Sequence, residues 1–175
     1  DSQMPMSAPQ VTLTTARGTA LLVYTVAGLP LAFFYYGLPA YLSRLGHDDS
    51  AVSATALVFL PLALRGAWAP LIDKIGGGDP GRYLIQLIVY LLLMVALTLG
   101  LAFLDPAGSI VPIIGIGLLV FFLGSSAMTA FAGFILPRLD TAARSRLSVE
   151  QSLGVAVSGT LVGSGLFFLD GLDWR

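Results

Sequence analysis

The 175 residues carry only 9 Lys+Arg and 10 Asp+Glu, so 11% of the chain is charged, against about 25% in an ordinary soluble domain. With 56% hydrophobic residues and a mean hydropathy of +0.86, the chain has too little polar surface to cover a water-soluble globule of this size. A net charge of −1 offers no basic stripe for nucleic acid, the lack of cysteine excludes disulfide and thiolate chemistry, and the single histidine, His47, excludes a multi-histidine metal site.

Residues 1–17 are polar and are expected to form a cytoplasmic N-terminal segment; the hydrophobic run that follows is too long for the core of a signal peptide. About 20 apolar residues cross roughly 30 Å of hydrocarbon. Residues 18–43, 83–104, 106–137 and 151–169 are free of charge, and 51–72 is interrupted only by Arg65. Run length and the lack of apolar–polar alternation indicate helices rather than barrel strands. The sequence therefore predicts an all-α, polytopic membrane helix bundle over 18–175, with five spans at about 18–44, 51–73, 82–104, 109–137 and 146–169. Gly, Pro and Asp supply the turns at 46–50, 76–81 and 105–109, all short enough to make consecutive spans antiparallel.

Orientation follows from the Lys and Arg of the short loops. Arg17, Lys74, Arg82, Arg138, Arg144 and Arg146 fall on one side, and Arg44 and Arg175 on the other. This bias predicts a cytoplasmic N-terminus and places the polar end from Asp170 to Arg175 outside. The chain starts without methionine and stops just after a polar loop, so it is expected to be a piece of a longer protein.

The second span ends in Arg65-Gly66-Ala67-Trp68-Ala69-Pro70-Leu71-Ile72-Asp73-Lys74-Ile75-Gly76, with Arg82 after the turn. An acid and a base close the helix, glycines turn the chain, and a second base opens the next helix. Asp73 there can accept charge-assisted hydrogen bonds that form in one conformation and break in another. The string Asp-basic-x-Gly with a downstream Arg resembles the signature loop of the major facilitator superfamily of secondary transporters. Trp68-Ala69-Pro70-Leu71-Ile72-Asp73-Lys74 is similar to a stretch of the muropeptide permeases and of the siderophore permeases of the pyochelin and rhizobactin type. Gly28-Leu29-Pro30-Leu31-Ala32-Phe33-Phe34 and Leu38-Pro39-Ala40-Tyr41-Leu42 look closer to the siderophore branch. The fourth span carries Ser125, Ser126, Met128 and Thr129 where acidic residues of a muropeptide permease are expected. The resemblance covers about residues 20–85.

Arg65 stands out on physical grounds. With the midplane near Pro61, it lies about 6 Å along the axis at about 1.5 Å per residue. A charge at that depth costs roughly 2.5–3.5 kcal/mol, so it is expected to face a water-filled cavity or a partner. The partner is a ligand carboxylate or an acid on a further helix; the alternative is snorkelling to the interface. Pro30 and Pro39, each two residues after a glycine, predict a kinked or unwound turn beside a cavity. The run Phe33-Phe34-Tyr35-Tyr36 adjoins it, and at most two of these four can face one cavity. Cavity candidates are Arg65, Phe34, Tyr35, Ser125, Met128 and Thr129.

Arg138, Arg144 and Arg146, with Asp140 and Glu150, read either as the positive-inside signal or as a second cytoplasmic charge cluster resembling that of the superfamily. With Asp73, Lys74 and Arg82 they make up the expected gating latch. Gly154, Gly159 and Gly163 are expected to let helices approach closely, or to form a surface that slides. No nucleophile–base–acid set and no phosphate-binding loop is present, so an enzyme, a cofactor and a bound metal are not expected.

The resemblance implies helices one to five of the N-terminal half of a twelve-helix transporter, an inverted 3+3 repeat that rocks against a missing C-terminal half by alternating access. The expected role is symport of a ferric siderophore or similar small organic acid across the bacterial inner membrane. The alternatives are muropeptide uptake and a non-transporting membrane assembly subunit of the same fold. The expected partners are membrane lipid, the small-molecule substrate and the missing half.

Overall fold

The structure, a computed structural model, describes residues 13–104 and 110–168; the first part of the expected N-terminal segment, the turn at 105–109 and the polar end from residue 169 lie outside the described residues. Every regular element among the described residues is helical. Helix α1 (Leu13–Ala32) runs through a π-helical turn (Phe33–Gly37) into α2 (Leu38–Arg44). Then come α3 (Asp49–Ala54), a 3-10 turn (Thr55–Phe59), α4 (Leu60–Ala63) and α5 (Arg65–Gly76). Helices α6 (Pro80–Gly100), α7 (Ile110–Ile135) and α8 (Thr141–Phe168) complete the order.

The result is an all-α membrane helix bundle. Thr14–Arg44, Pro80–Phe103 and Ile110–Arg138 are each long and apolar enough to cross a membrane, and Asp49–Ala63 with Arg65–Gly76, bent by 43°, makes a fourth span if counted as one. Helix α8 is 28 residues long and does not join that set over the described residues.

Aspartates that read as turn residues cap the helices that follow them. Asp48 accepts from the Ala51 amide at 3.1 Å, Asp79 from Gly81 at 2.9 Å and Asp140 from Ala143 at 2.6 Å. Gly77, at φ +59°, closes α5 in the left-handed conformation that favours glycine.

Side-chain pairings fix how the helices run. Arg17 meets Glu150 and Thr25 meets Ser158, each 133 residues apart, so α1 and α8 are parallel. Tyr24 on Phe131 and Phe34 on Phe121 make α1 antiparallel to α7. Tyr83 beside Gly133 and Met94 beside Gly124 do the same for α6 and α7. Arg65 with Thr129, and Val58 with Gly117, make the second span parallel to α7. The starts of α1, α6 and α8 and the ends of α5 and α7 therefore gather at one end of the bundle. That end carries Arg17, Lys74, Arg82, Arg138, Arg144 and Arg146 and is here termed the basic end.

Helix α7 is the hub, buried from Gly124 through Phe131 between α1, α5 and α6. Lipid tails are as apolar as leucine, so close contact of small residues, rather than a hydrophobic force, holds such helices together. Its hydroxyls satisfy themselves within the helix: Ser125 and Ser126 donate to the Phe122 carbonyl at 3.0 and 2.7 Å.

Candidate functional site

Of the two prolines expected to disturb the first span, Pro30 lies inside the regular helix α1, and the altered turn stands before Pro39. Pro39 has no N–H to offer the Tyr35 carbonyl, and the Leu38 amide instead donates to the Phe33 carbonyl, a five-residue step that creates the π turn. The turn divides the aromatic run. Phe34, expected at the cavity, lies instead in the core at 0% exposure, edge-on to Phe33 and Phe121, in space left open by Gly117. Tyr35 and Tyr36 are 60% and 50% exposed and, with Phe59, Leu62, Gly28 and Gly159, line a cavity of about 570 Å³. Tyr35 packs edge-on to both Tyr36 and Phe59, with centroids 4.7 and 5.6 Å away.

Arg65 opens α5 immediately after the 43° bend at Leu64. Its Nε donates to Thr129 Oγ1 at 2.8 Å, and the Thr129 hydroxyl in turn donates to the Ser125 carbonyl at 2.9 Å. Tyr24, edge-on to Phe131, stands within electrostatic range of the guanidinium. No carboxylate pairs with Arg65 among the described residues, and its terminal N–H groups make no hydrogen bond among them. Tyr24 and Arg65 each sit about one turn nearer the basic end than the cavity residues Gly28 and Leu62, so the cation lies below the cavity. Of the six cavity candidates, the fold joins Arg65 to Thr129 and puts Tyr35 on the cavity wall. Ser125 and Met128 are buried with Phe34.

At the basic end Asp73 is exposed, and among the described residues no ion pair joins it to Lys74, Arg82, Arg138, Arg144 or Arg146. Its partner is Tyr83, whose hydroxyl donates to Asp73 Oδ1 at 3.2 Å. Arg82 turns back to Asp79, with Nε 3.7 Å from Oδ2. Arg138 and Arg144 neutralise the end of α7: Arg138 donates to the Phe134 carbonyl and lies 4.1 Å above its ring, while Arg144 Nε is 3.1 Å from the carbonyls of both Leu136 and Leu139. Lys74 and Arg146 are exposed.

The seam between α1 and α8 carries a pair that sequence reasoning missed. Glu150, with its side chain only 8% exposed, receives Nε of Arg17 at 2.6 Å and a second contact from Nη2. Farther along, Ser158 donates to the carbonyls of Thr25 at 2.9 Å and Gly154 at 2.8 Å. A Cβ on Gly154 would lie 2.7 Å from that of Tyr24, and one on Gly28 would strike Ser158. Gly159 meets only the Tyr36 ring edge at 3.7 Å, and Gly163 has nothing within 4 Å. Of the three packing glycines, Gly154 is the one in tight contact.

No family model matches the chain, and no solved structure does. Among curated proteins, "Putative transporter AmpG 4" of Rickettsia conorii (strain ATCC VR-613 / Malish 7) is 23% identical over 156 residues, which cover 86% of this chain and 38% of that protein. The chain thus spans less than half the length of this relative and is similar to a transporter over most of its own.

Proposed function

We propose that this chain is part of the N-terminal half of a secondary active transporter of the major facilitator superfamily. It works by alternating access in the bacterial inner membrane, with the N-terminus cytoplasmic and a further helical half completing the solute path. The observation that carries the reading is Arg65: a cation inside a bent span, tied to Thr129, unpaired with any acid among the described residues and set below a cavity walled by Tyr35, Tyr36 and Phe59. A half-buried guanidinium within a membrane span and without an acid is costly unless a solute or water completes its shell. Aromatic walls above a cation suit a solute with a ring at one end and a carboxylate at the other.

Of the two permease branches that the loop motif resembles, the AmpG relative supports muropeptide uptake over siderophore uptake. The siderophore reading rests on the first-span motif around Gly28 and Pro39 and on the hydroxyls of α7 in place of acids. The test is proton-driven uptake by the full-length protein in proteoliposomes, with labelled muropeptide and ferric siderophore in parallel and Arg65→Gln as the control. Muropeptide uptake that is lost in the variant is the expected result. Siderophore uptake alone would reverse the choice of substrate, and a folded protein that moves neither would favour a non-transporting subunit.

A further inference from the structure

Tyr83 belongs to none of the motifs considered so far, yet the ends of three helices meet at its ring. It lies in the first turn of α6 and is almost fully buried. A Cβ on Gly76, the last residue of α5, would come within 2.5 Å of the ring's Cζ; one on Gly133 of α7 would come within 2.5 Å of its Cε1. The same edge of the ring therefore fills the space that a side chain would occupy at either glycine. Held in this slot, the ring has one polar atom, and that atom donates to Asp73 Oδ1. Asp73 is otherwise exposed, with no basic partner among the described residues.

We infer that Tyr83 is the positioning residue of the Asp73 latch: the glycine slot fixes the hydroxyl, and the hydroxyl holds the carboxylate in the orientation from which it closes the basic end. This rests on the transporter reading above, together with the change of partners that the loop motif implies for Asp73. Three of the basic residues at this end have other partners, and the exposed Lys74 and Arg146 make no ion pair with Asp73 among the described residues. Arg82 faces Asp79, and Arg138 and Arg144 are spent on the carbonyls at the end of α7. A phenol is also suited to the role electrically. A cation in the slot would neutralise the acid in every state, whereas a neutral donor orients it and leaves its charge for a second partner.

The test needs no substrate. In the full-length protein, a cysteine replacing Thr160 on the cavity wall reports by its maleimide labelling rate how often the cavity is open. Tyr83→Phe keeps the ring in its slot and removes only the hydroxyl. Asp73→Asn weakens the latch directly and is expected to change the labelling rate. Tyr83→Phe is expected to change it in the same direction by about tenfold, the equivalent of one hydrogen bond to a charged acceptor. The double variant is expected to go no further than Asp73→Asn alone. Wild-type labelling in Tyr83→Phe, or effects of the two changes that multiply independently, would overturn the assignment. An unchanged rate in Asp73→Asn would remove the latch itself. Failure of the transport reading would show separately, as absent uptake with the labelling pattern intact.

Discussion

Arg17 and Glu150, 133 residues apart, share one oxygen: Nε and Nη2 of the arginine both reach Oε1, Nε at 2.6 Å. The carboxylate is buried and the guanidinium half exposed, so the pair lies between the surface and interior cases. Arg17→Ala strands the acid and is expected to cost about 1–3 kcal/mol, above the value of an exposed pair and below that of a fully buried one. Glu150→Gln, which keeps an accepting oxygen, is expected to cost less, and adding it to Arg17→Ala recovers part of the loss. Thermal unfolding of the three variants in detergent checks this; equal stability of Arg17→Ala and the parent would remove the pair from the account.

The glycines of α8 differ sharply in what surrounds them. Gly154→Val forces the helix off Tyr24 and the backbone of Leu21 and Thr25, and is expected to destabilise by about 1–3 kcal/mol, as overpacking does. Gly163→Val enters open space and is expected to be neutral or slightly stabilising. Parallel melting curves decide it, and equal losses at both positions would mean that the seam extends farther than the contacts indicate.

Arg65 and Thr129 form a donor–acceptor pair in which the threonine keeps its place through its own bond to Ser125. Thr129→Val removes the acceptor while preserving shape, so apparent solute affinity is expected to fall severalfold, by about the 1 kcal/mol of one hydrogen bond. Arg65→Lys keeps the charge without the planar fork, and is expected to bind more weakly than the parent yet better than Arg65→Gln. Concentration dependence of uptake measures the order of the three. If Arg65→Lys and Arg65→Gln both transport with unchanged apparent affinity, Arg65 does not touch the solute.

Pro39→Ala restores an amide to the Tyr35 carbonyl and permits a regular α-helix through the first span. The π turn is then expected to relax and to turn Tyr35 and Tyr36 away from Phe59. A cysteine at Tyr35 should change its labelling rate when Pro39 is replaced; an unchanged rate would assign the turn to the packing of Phe34 and Gly117 instead.

What the sequence makes legible follows the reach of each physical rule. Charge-free runs locate α6 and α7 to within a few residues, because insertion of a charge in hydrocarbon is costly wherever it occurs. Pro39 announces the π turn because a missing N–H acts on its own helix. Which aromatic faces the cavity is not legible, since one extra residue in the turn rotates the run and Gly117, on another helix, opens the seat for Phe34. Arg17 and Glu150 each read as an ordinary interfacial charge; only the parallel register of α1 and α8 brings them together. Tyr83 is similarly silent, because its neighbours are absences: the side chains that Gly76 and Gly133 lack.

The bend at Leu64 divides the second span into two levers. Its outer piece, with Phe59 and Leu62, forms a wall of the cavity, while the inner piece, α5, is anchored at its far end by Tyr83 and by Gln86, whose amide donates to the Ile72 carbonyl at 3.4 Å. The cavity wall and the clamped base thus stand on separate pieces of one helix, so that a substitution in either piece acts first on its own neighbours.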